Sequence, residues 1–372
     1  MPTEAELPAL TARVLWAAFG LGAGFGAIAR RTHFCTMGAI SDVVASGNWL
    51  RMRMWVLAVA VAMIGFNAMV AAGWVRAGDS IYAGPQLRWL SHLVGGLLFG
   101  FGMVLASGCG ARSLVRAGGG NLKALVVLLV LGASAAMTLR GLFAVLRAAS
   151  VDRVALTLPS TQDLPSLLAG AAGVAPTVLA PLLGTGLGVL LVGWVLARPE
   201  GRAREVWLGG LGIGAAVVAL WWVSGVLGYL SEHPQTLAQA FVATDSRRLE
   251  SFSFVAPVAY ALDWLMLFSD RGRSLSVGIV ATAGMLVGAL AVALADGSFR
   301  WEGFAGPEDT ANHLVGGALM GVGGVTALGC TIGQGLSGLS TLALGSFIAV
   351  AAIVAGGWLG LRWQLWRIER GA

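Results

Sequence analysis

The sequence predicts an all-α, polytopic membrane protein with about nine transmembrane helices, four short re-entrant helices and an inverted internal repeat. Three observations lead there. Of 372 residues, 57% are hydrophobic and only 11% charged; the mean hydropathy is +0.81, too apolar for a domain bathed in water. The apolar stretches last as long as helical spans and lack the alternating pattern of barrel strands. One stretch is also used twice: His92 to Cys109 reads HLVGGLLFGFGMVLASGC, and His313 to Cys330 reads HLVGGALMGVGGVTALGC, with identical spacing from histidine to cysteine. Chance does not produce such a match, so the chain contains a duplication.

Taken in order, the expected spans are 12–30, 51–75, 91–107, 121–145, 176–197, 206–230, 274–296, 313–329 and 340–361. Between them lie four apolar pieces, 33–47, 108–118, 254–268 and 330–339. At about 1.5 Å of rise per residue these cross only part of the hydrocarbon, which marks them as re-entrant or interfacial. The 55 glycines point to close helix packing and to non-helical backbone inside the bundle. Residues 1–145 then form a first four-span half and 206–361 a second, with 146–205 carrying an external loop, one extra span and a basic loop; 362–372 is a tail. Matching helices are an odd number of spans apart, so the second half is inverted. That arrangement gathers broken helices near the midplane, where transporters bind their cargo. The early parts of the halves match more weakly, through Phe34/Phe254, Asp42/Asp263, Arg51/Arg271 and Arg53/Arg273, and Val255 or Ala256 stands where the first half has Cys35.

The net charge of +6 would suggest nucleic acid in a soluble protein. Here it reflects arginines flanking spans, and no basic run is interleaved with aromatics. Arg30, Arg31, Arg51, Arg53, Arg112, Arg116, Lys123, Arg198, Arg202, Arg204 and the tail's Arg362, Arg367 and Arg370 collect on one side of the membrane. The positive-inside rule makes that side cytoplasmic, with the amino terminus periplasmic and the carboxyl terminus cytoplasmic. Loops 148–165 and 231–252 are then external. The first dozen residues include Glu4 and Glu6 without a basic cluster, so no cleavable signal is expected.

Cys35, Cys109 and Cys330 are the three cysteines. Their odd number, the absence of a CxxC pair and the lack of histidine at ligand spacing argue against a disulfide framework, a metal site or a bound cofactor. Each stands where an apolar helix stops and a short one begins: HFCTMGAISD, SGCGARSLVRAGGG and LGCTIGQGLS. Such a junction offers free backbone N–H groups to an anion, glycine permits close approach, and a thiol adds a weak neutral donor and a polarizable sulfur. The combination suits a small sulfur-bearing anion that must pass without being held, with Gly108, Gly110, Arg112, Gly329, Thr331 and Gln334 as supporting residues. Blander readings compete. A membrane cysteine can be a small buried hydrophobe, His92 and His313 can cap helices or sit at the interface, and Arg112, Arg116 and Lys123 can be orientation signals. Asp42 and Asp263 beside Arg51 and Arg271 read as structural ion pairs, and Trp221, Trp222, Trp363 and Trp366 as an interfacial belt.

At HFCTMGAISD (33–42), SGCGARSLVRAGGGNLK (107–123) and LGCTIGQGLSGLS (328–340) the chain resembles the YeeE/YedE, or sulphur transport, family of bacterial inner-membrane proteins. The resemblance covers roughly 14–361. It implies an hourglass-like bundle of nine spans and four short helices. It also implies thiosulfate uptake, with the anion handed along Cys35, Cys109 and Cys330 by transient S–H hydrogen bonds, and a TusA-like cytoplasmic sulfurtransferase as partner. Without a nucleotide-binding motif the chain is not expected to be an ATPase by itself, and a transporter rather than an enzyme is expected. A different class of function stays open: a membrane sulfur relay that forms a cysteine persulfide and passes sulfur, or selenium, to a partner. A purely structural scaffold is the third reading.

Overall fold

The computed structural model describes residues 4–270 and 272–370. Arg271, the expected mate of Arg51, lies outside the described residues. The chain runs through α1 (Leu7–Arg31), α2 (Thr36–Ser46), α3 (Leu50–Ala71), α4 (Trp89–Leu105), α5 (Gly110–Gly118), α6 (Leu122–Arg140), α7 (Leu142–Ala149), α8 (Leu164–Ala172) and α9 (Pro176–Leu196). It continues through α10 (Arg204–Trp222), α11 (Ala256–Met266), α12 (Val277–Ala295), α13 (Pro307–Thr326) and α14 (Leu344–Glu369). Among the described residues, paired strands occur as two small antiparallel pairs, Gln86–Leu87 with Leu156–Thr157 and Tyr229–Leu230 with Ala240–Phe241, and isolated bridges such as Ser80 with Leu249 add to them.

Among the described residues, eight helical stretches are long and apolar enough to cross a membrane, two of them running on into the short helices α2 and α5. The stretch expected as a span at 313–329 forms α13, which falls outside that set because its polar start, including Asp309, Asn312 and His313, and its many glycines lower its mean hydropathy. Its packing explains why a less apolar helix is tolerated. It lies against α4 and α6 and buries His313, Gly316, Gly317, Met320, Gly321, Gly323 and Gly324, so protein rather than lipid receives much of its surface. The piece expected at 121–145 is broken: α6 ends at Arg140, Gly141 turns extended, and α7 sets off separately.

Helix pairing is set by glycine. α1 packs on α12, and α3 on α10. A side chain at Gly22 or Gly26 would collide with the carbonyl oxygens of Ala281 and Met285, and one at Gly284 or Gly288 with those of Phe19 and Ala23. Backbone therefore meets backbone, the geometry by which membrane helices gain dispersion contact without a hydrophobic drive. α4 meets α14 in the same way through Gly100 and Gly356, and α4 meets α13 through Gly95, Gly102, Gly316 and Gly323. α9 leans mainly on α3. Arg53 holds its end by stacking on Trp194 at 4.5 Å and donating to the Trp194 and Val195 carbonyls at 2.6 and 3.0 Å.

Of the short pieces, α2, α5 and α11 form as expected, but Gly333–Gly338 is a π-helical turn. Ser337 donates to the Phe252 carbonyl, Asn67 donates to the Ser340 carbonyl, and Trp221 donates its indole N–H to the Ser340 hydroxyl at 3.0 Å. Trp221 is 0% exposed. It corrects the interfacial expectation for that residue, whereas Trp222 and Trp366 are 40% and 48% exposed. Asp42 pairs with Arg51 through two bonds, and Asp263 with Arg140 and Arg273 at 3.2 and 3.7 Å.

Candidate functional site

The three cysteines share a local architecture that their sequences do not announce. In each, the residue two places before the cysteine is a non-glycine in left-handed backbone: His33 (φ 51°), Ser107 (φ 56°) and Leu328 (φ 60°). The next residue then bonds back to close the preceding helix, Phe34 to the Ala29 carbonyl, Gly108 to that of Met103 and Gly329 to that of Gly324. This is the Schellman closure, with a side chain where glycine is the usual occupant. Such backbone costs roughly 1 kcal/mol or more per residue and persists only where the surroundings fix it.

The chain then turns so that Cys35 and Cys109 become the N-cap residues of α2 and α5. Cys330 holds the corresponding place before the π turn. The Cys35 sulfur accepts from the Gly38 N–H at 3.3 Å and the Cys330 sulfur from the Gly333 N–H at 3.4 Å. The Arg112 N–H is turned toward Cys109 in the same sense. Each thiol thus lies at a helix start, against N–H groups without intrahelical partners.

These sulfurs are buried, with exposures of 7%, 1% and 0% in chain order. The Cys35 and Cys109 thiols are close enough to influence each other, and Cys109 neighbours Thr331, the residue after Cys330. The three helix breaks therefore adjoin. Around them stand buried donors with no nitrogen or oxygen partner among the described residues: the hydroxyls of Thr36, Thr331 and Tyr82 and the indole N–H of Trp55. A side chain at Gly333 would stand 2.9 Å from the Ser253 hydroxyl and 3.2 Å from that of Tyr82, and one at Gly335 would press on the Trp55 ring. An unpaired buried donor costs about 1–3 kcal/mol, so several together need an explanation, and a ligand that accepts from them supplies one.

The supporting residues divide. Gly110 places its backbone beside the Phe254 carbonyl, and Gly108 lies under the stem of Arg112. Gly329 packs against Gln334, whose amide nitrogen is committed to the Ala327 carbonyl at 2.6 Å. Gln334 thus braces the break rather than offering a donor. His92 does the same: its Nδ1 donates to that carbonyl at 3.1 Å, with the ring 2% exposed. His313 is equally buried but bonds the Asp309 carbonyl at 2.7 Å. Tyr82 and Trp55 were missed by sequence reasoning. Neither carries a motif, and only the glycines they pack upon could have pointed to them.

On the face where α1 ends and α3 begins, a cavity of about 400 Å³ is lined by Arg30, Arg31, His33, Arg112, Arg116 and Asp296, among others. Its walls come from the segments that carry the thiol pair, since His33 stands two residues before Cys35 and Arg112 three after Cys109.

Known proteins agree in kind. The thiosulfate transporter TsuA of Escherichia coli (strain K12) is 26% identical over 345 residues, 91% of this chain and 91% of its own length. TsuA of Spirochaeta thermophila is 26% identical over 364 residues, 95% of this chain and 100% of its own. The probable transporter YedE of E. coli is 32% identical over 115 residues, 30% of this chain and 26% of that protein. The family described as sulphur transport matches residues 31–359, a range that holds all three cysteine-bearing breaks, and the chain belongs to that family.

Proposed function

We propose that this protein imports a small sulfur-containing anion, thiosulfate first, across the bacterial inner membrane, past Cys330, Cys109 and Cys35. The observation that carries the reading is the set of three buried, neighbouring thiols at helix starts, ringed by buried donors without partners. A sulfur oxyanion offers each contact what it lacks: oxygens for the N–H and O–H groups and a soft terminal sulfur for the thiols. Neutral donors attract without trapping, as a conduction path requires. The names of the TsuA relatives supply the cargo class.

The two halves are read as an inverted repeat, 1–145 and 206–361. Exchanging them carries the α1–α12 pairing onto α10–α3 and the α4–α14 pairing onto α13–α6, which supports that reading. Burial of the thiols weighs toward passage and away from a persulfide relay, because a relay cysteine must meet its acceptor. A TusA-like sulfurtransferase on the basic face would consume the delivered anion.

The test is a sulfur-auxotrophic host supplied with thiosulfate as sole sulfur source. Wild type is expected to restore growth and Cys109→Ala to abolish it with the protein still present in the membrane. Intact labelled thiosulfate should enter proteoliposomes. Growth of the variant at the wild-type rate, or a stable sulfur adduct on Cys109 without uptake, would overturn the proposal.

A further inference from the structure

The basic cavity has a chemistry of its own. Among the described residues the Arg112 guanidinium makes no hydrogen bond or salt bridge, and that of Arg116 donates only to the Ser107 carbonyl at 3.3 Å. Arg30 is held at the rim by the Ser298 hydroxyl at 2.9 Å and by the Val115 carbonyl at 3.4 Å. Asp296 is the one carboxylate among these lining residues, against four guanidinium groups. Guanidiniums gathered in a partly enclosed space repel one another until an anion enters, and their planar forks match tetrahedral oxyanions. No thiol lines the cavity, so nothing in it reads the softness of a sulfur atom.

We infer that this cavity is a second anion site, selective for charge and tetrahedral shape and indifferent to sulfur, which holds a sulfate- or phosphate-type dianion at the inner end of the thiol path. Its role rests on the passage proposed above; its binding chemistry does not. The cavity gives an anion leaving the neutral thiols a charged place to go. It also lets sulfate or phosphate on that face compete with thiosulfate release. The same chemistry would accept the phosphate of an anionic lipid headgroup.

The experiment uses the full chain purified in detergent at constant ionic strength, with sulfate, phosphate or thiosulfate exchanged for chloride and thermal unfolding as the readout. In wild type the midpoint should rise saturably and alike for sulfate and phosphate, and at least as much for thiosulfate, which the thiol path also binds. Arg112→Gln and Arg116→Gln should each weaken apparent affinity by about tenfold, the loss of one charge-assisted contact. Arg153→Gln, on another loop, should not. A variant that fails to fold is bypassed by carbethoxylation of the exposed His33 in wild type, which sulfate should slow. In nanodiscs, protection of His33 by phosphatidylglycerol relative to phosphatidylcholine, with no further effect of sulfate, identifies the lipid as the source of the oxyanion. Additional protection by sulfate identifies the free ion.

Equal anion responses in wild type and both arginine variants, or unprotected His33 in every condition, would overturn the site even if thiosulfate uptake is intact. Sulfate binding that persists while thiosulfate uptake is absent would sink the passage and leave the site standing.

Discussion

Among single residues, the thiols and the donors around them make opposite demands on stability and function. Tyr82 is 3% exposed and its hydroxyl has no partner among the described residues. Tyr82→Phe removes that cost, so the unfolding midpoint should hold or rise while thiosulfate uptake falls about tenfold, the size of one lost hydrogen bond to an anion. Reduced stability together with full uptake would mean the hydroxyl is structural. Cys109→Ser tests softness, because it keeps a donor and removes a polarizable sulfur; uptake should drop well below wild type in radiolabelled vesicles. In the loop between α10 and α11, burial raises the Glu250 carboxyl to about 7, although it accepts from the Ser246 N–H at 2.9 Å. A carboxyl that binds its proton more tightly when folded stabilises the fold below its unfolded pKa, and that stability is lost as pH rises through the folded value. The loop's amide protection factors, with the intrinsic base-catalysed rate divided out, should therefore be lower at pH 8 than at pH 5.5, and Glu250→Gln should flatten the difference. The cysteines were legible as singular points because glycine and hydroxyl residues surround them at helix ends. The left-handed backbone two residues earlier was not, since His33, Ser107 and Leu328 are unlike the glycine such positions favour.

For the helical elements, hydropathy located the spans well and lengths of apolar sequence correctly marked α2, α5 and α11 as too short to cross. The same signal understated α13, whose acidic first turn and many glycines are compensated by the neighbours that enclose it. It could not foresee that Gly333–Gly338 would wind as a π turn. That outcome depends on Trp55, Tyr82 and Ser346 pressing on its glycines from other parts of the chain. Glycine itself was ambiguous. Gly20 and Gly24 have nothing within 4 Å of where a Cβ would stand, while Gly22 and Gly26 on the same helix lie against α12 backbone. Gly26→Val should lower stability by about 1–3 kcal/mol through forced separation of α1 and α12, and Gly20→Ala should be neutral. Chemical denaturation in detergent checks both. A tolerated Gly26→Val would show that the helices can part without consequence.

For the whole molecule, the crossing count decides on which sides the ends lie. With α13 crossing alongside the other eight, residues near α1's start and α14's end belong on opposite sides; reporter fusions there should give opposite topology signals. Matching signals would make α13 a helix that does not cross. The pairings α1 with α12 and α4 with α13 and α14 also mean that neither half completes its own contacts. During synthesis the first half leaves the ribosome with its glycine seams open, and its proper mates have yet to be translated. Residues 1–145 expressed alone should therefore be cleared by membrane proteases, and co-expression with 146–372 should rescue them. A cell making this protein must shelter a half-built bundle for most of a translation cycle, which ties its yield to the insertion machinery as firmly as to its final stability.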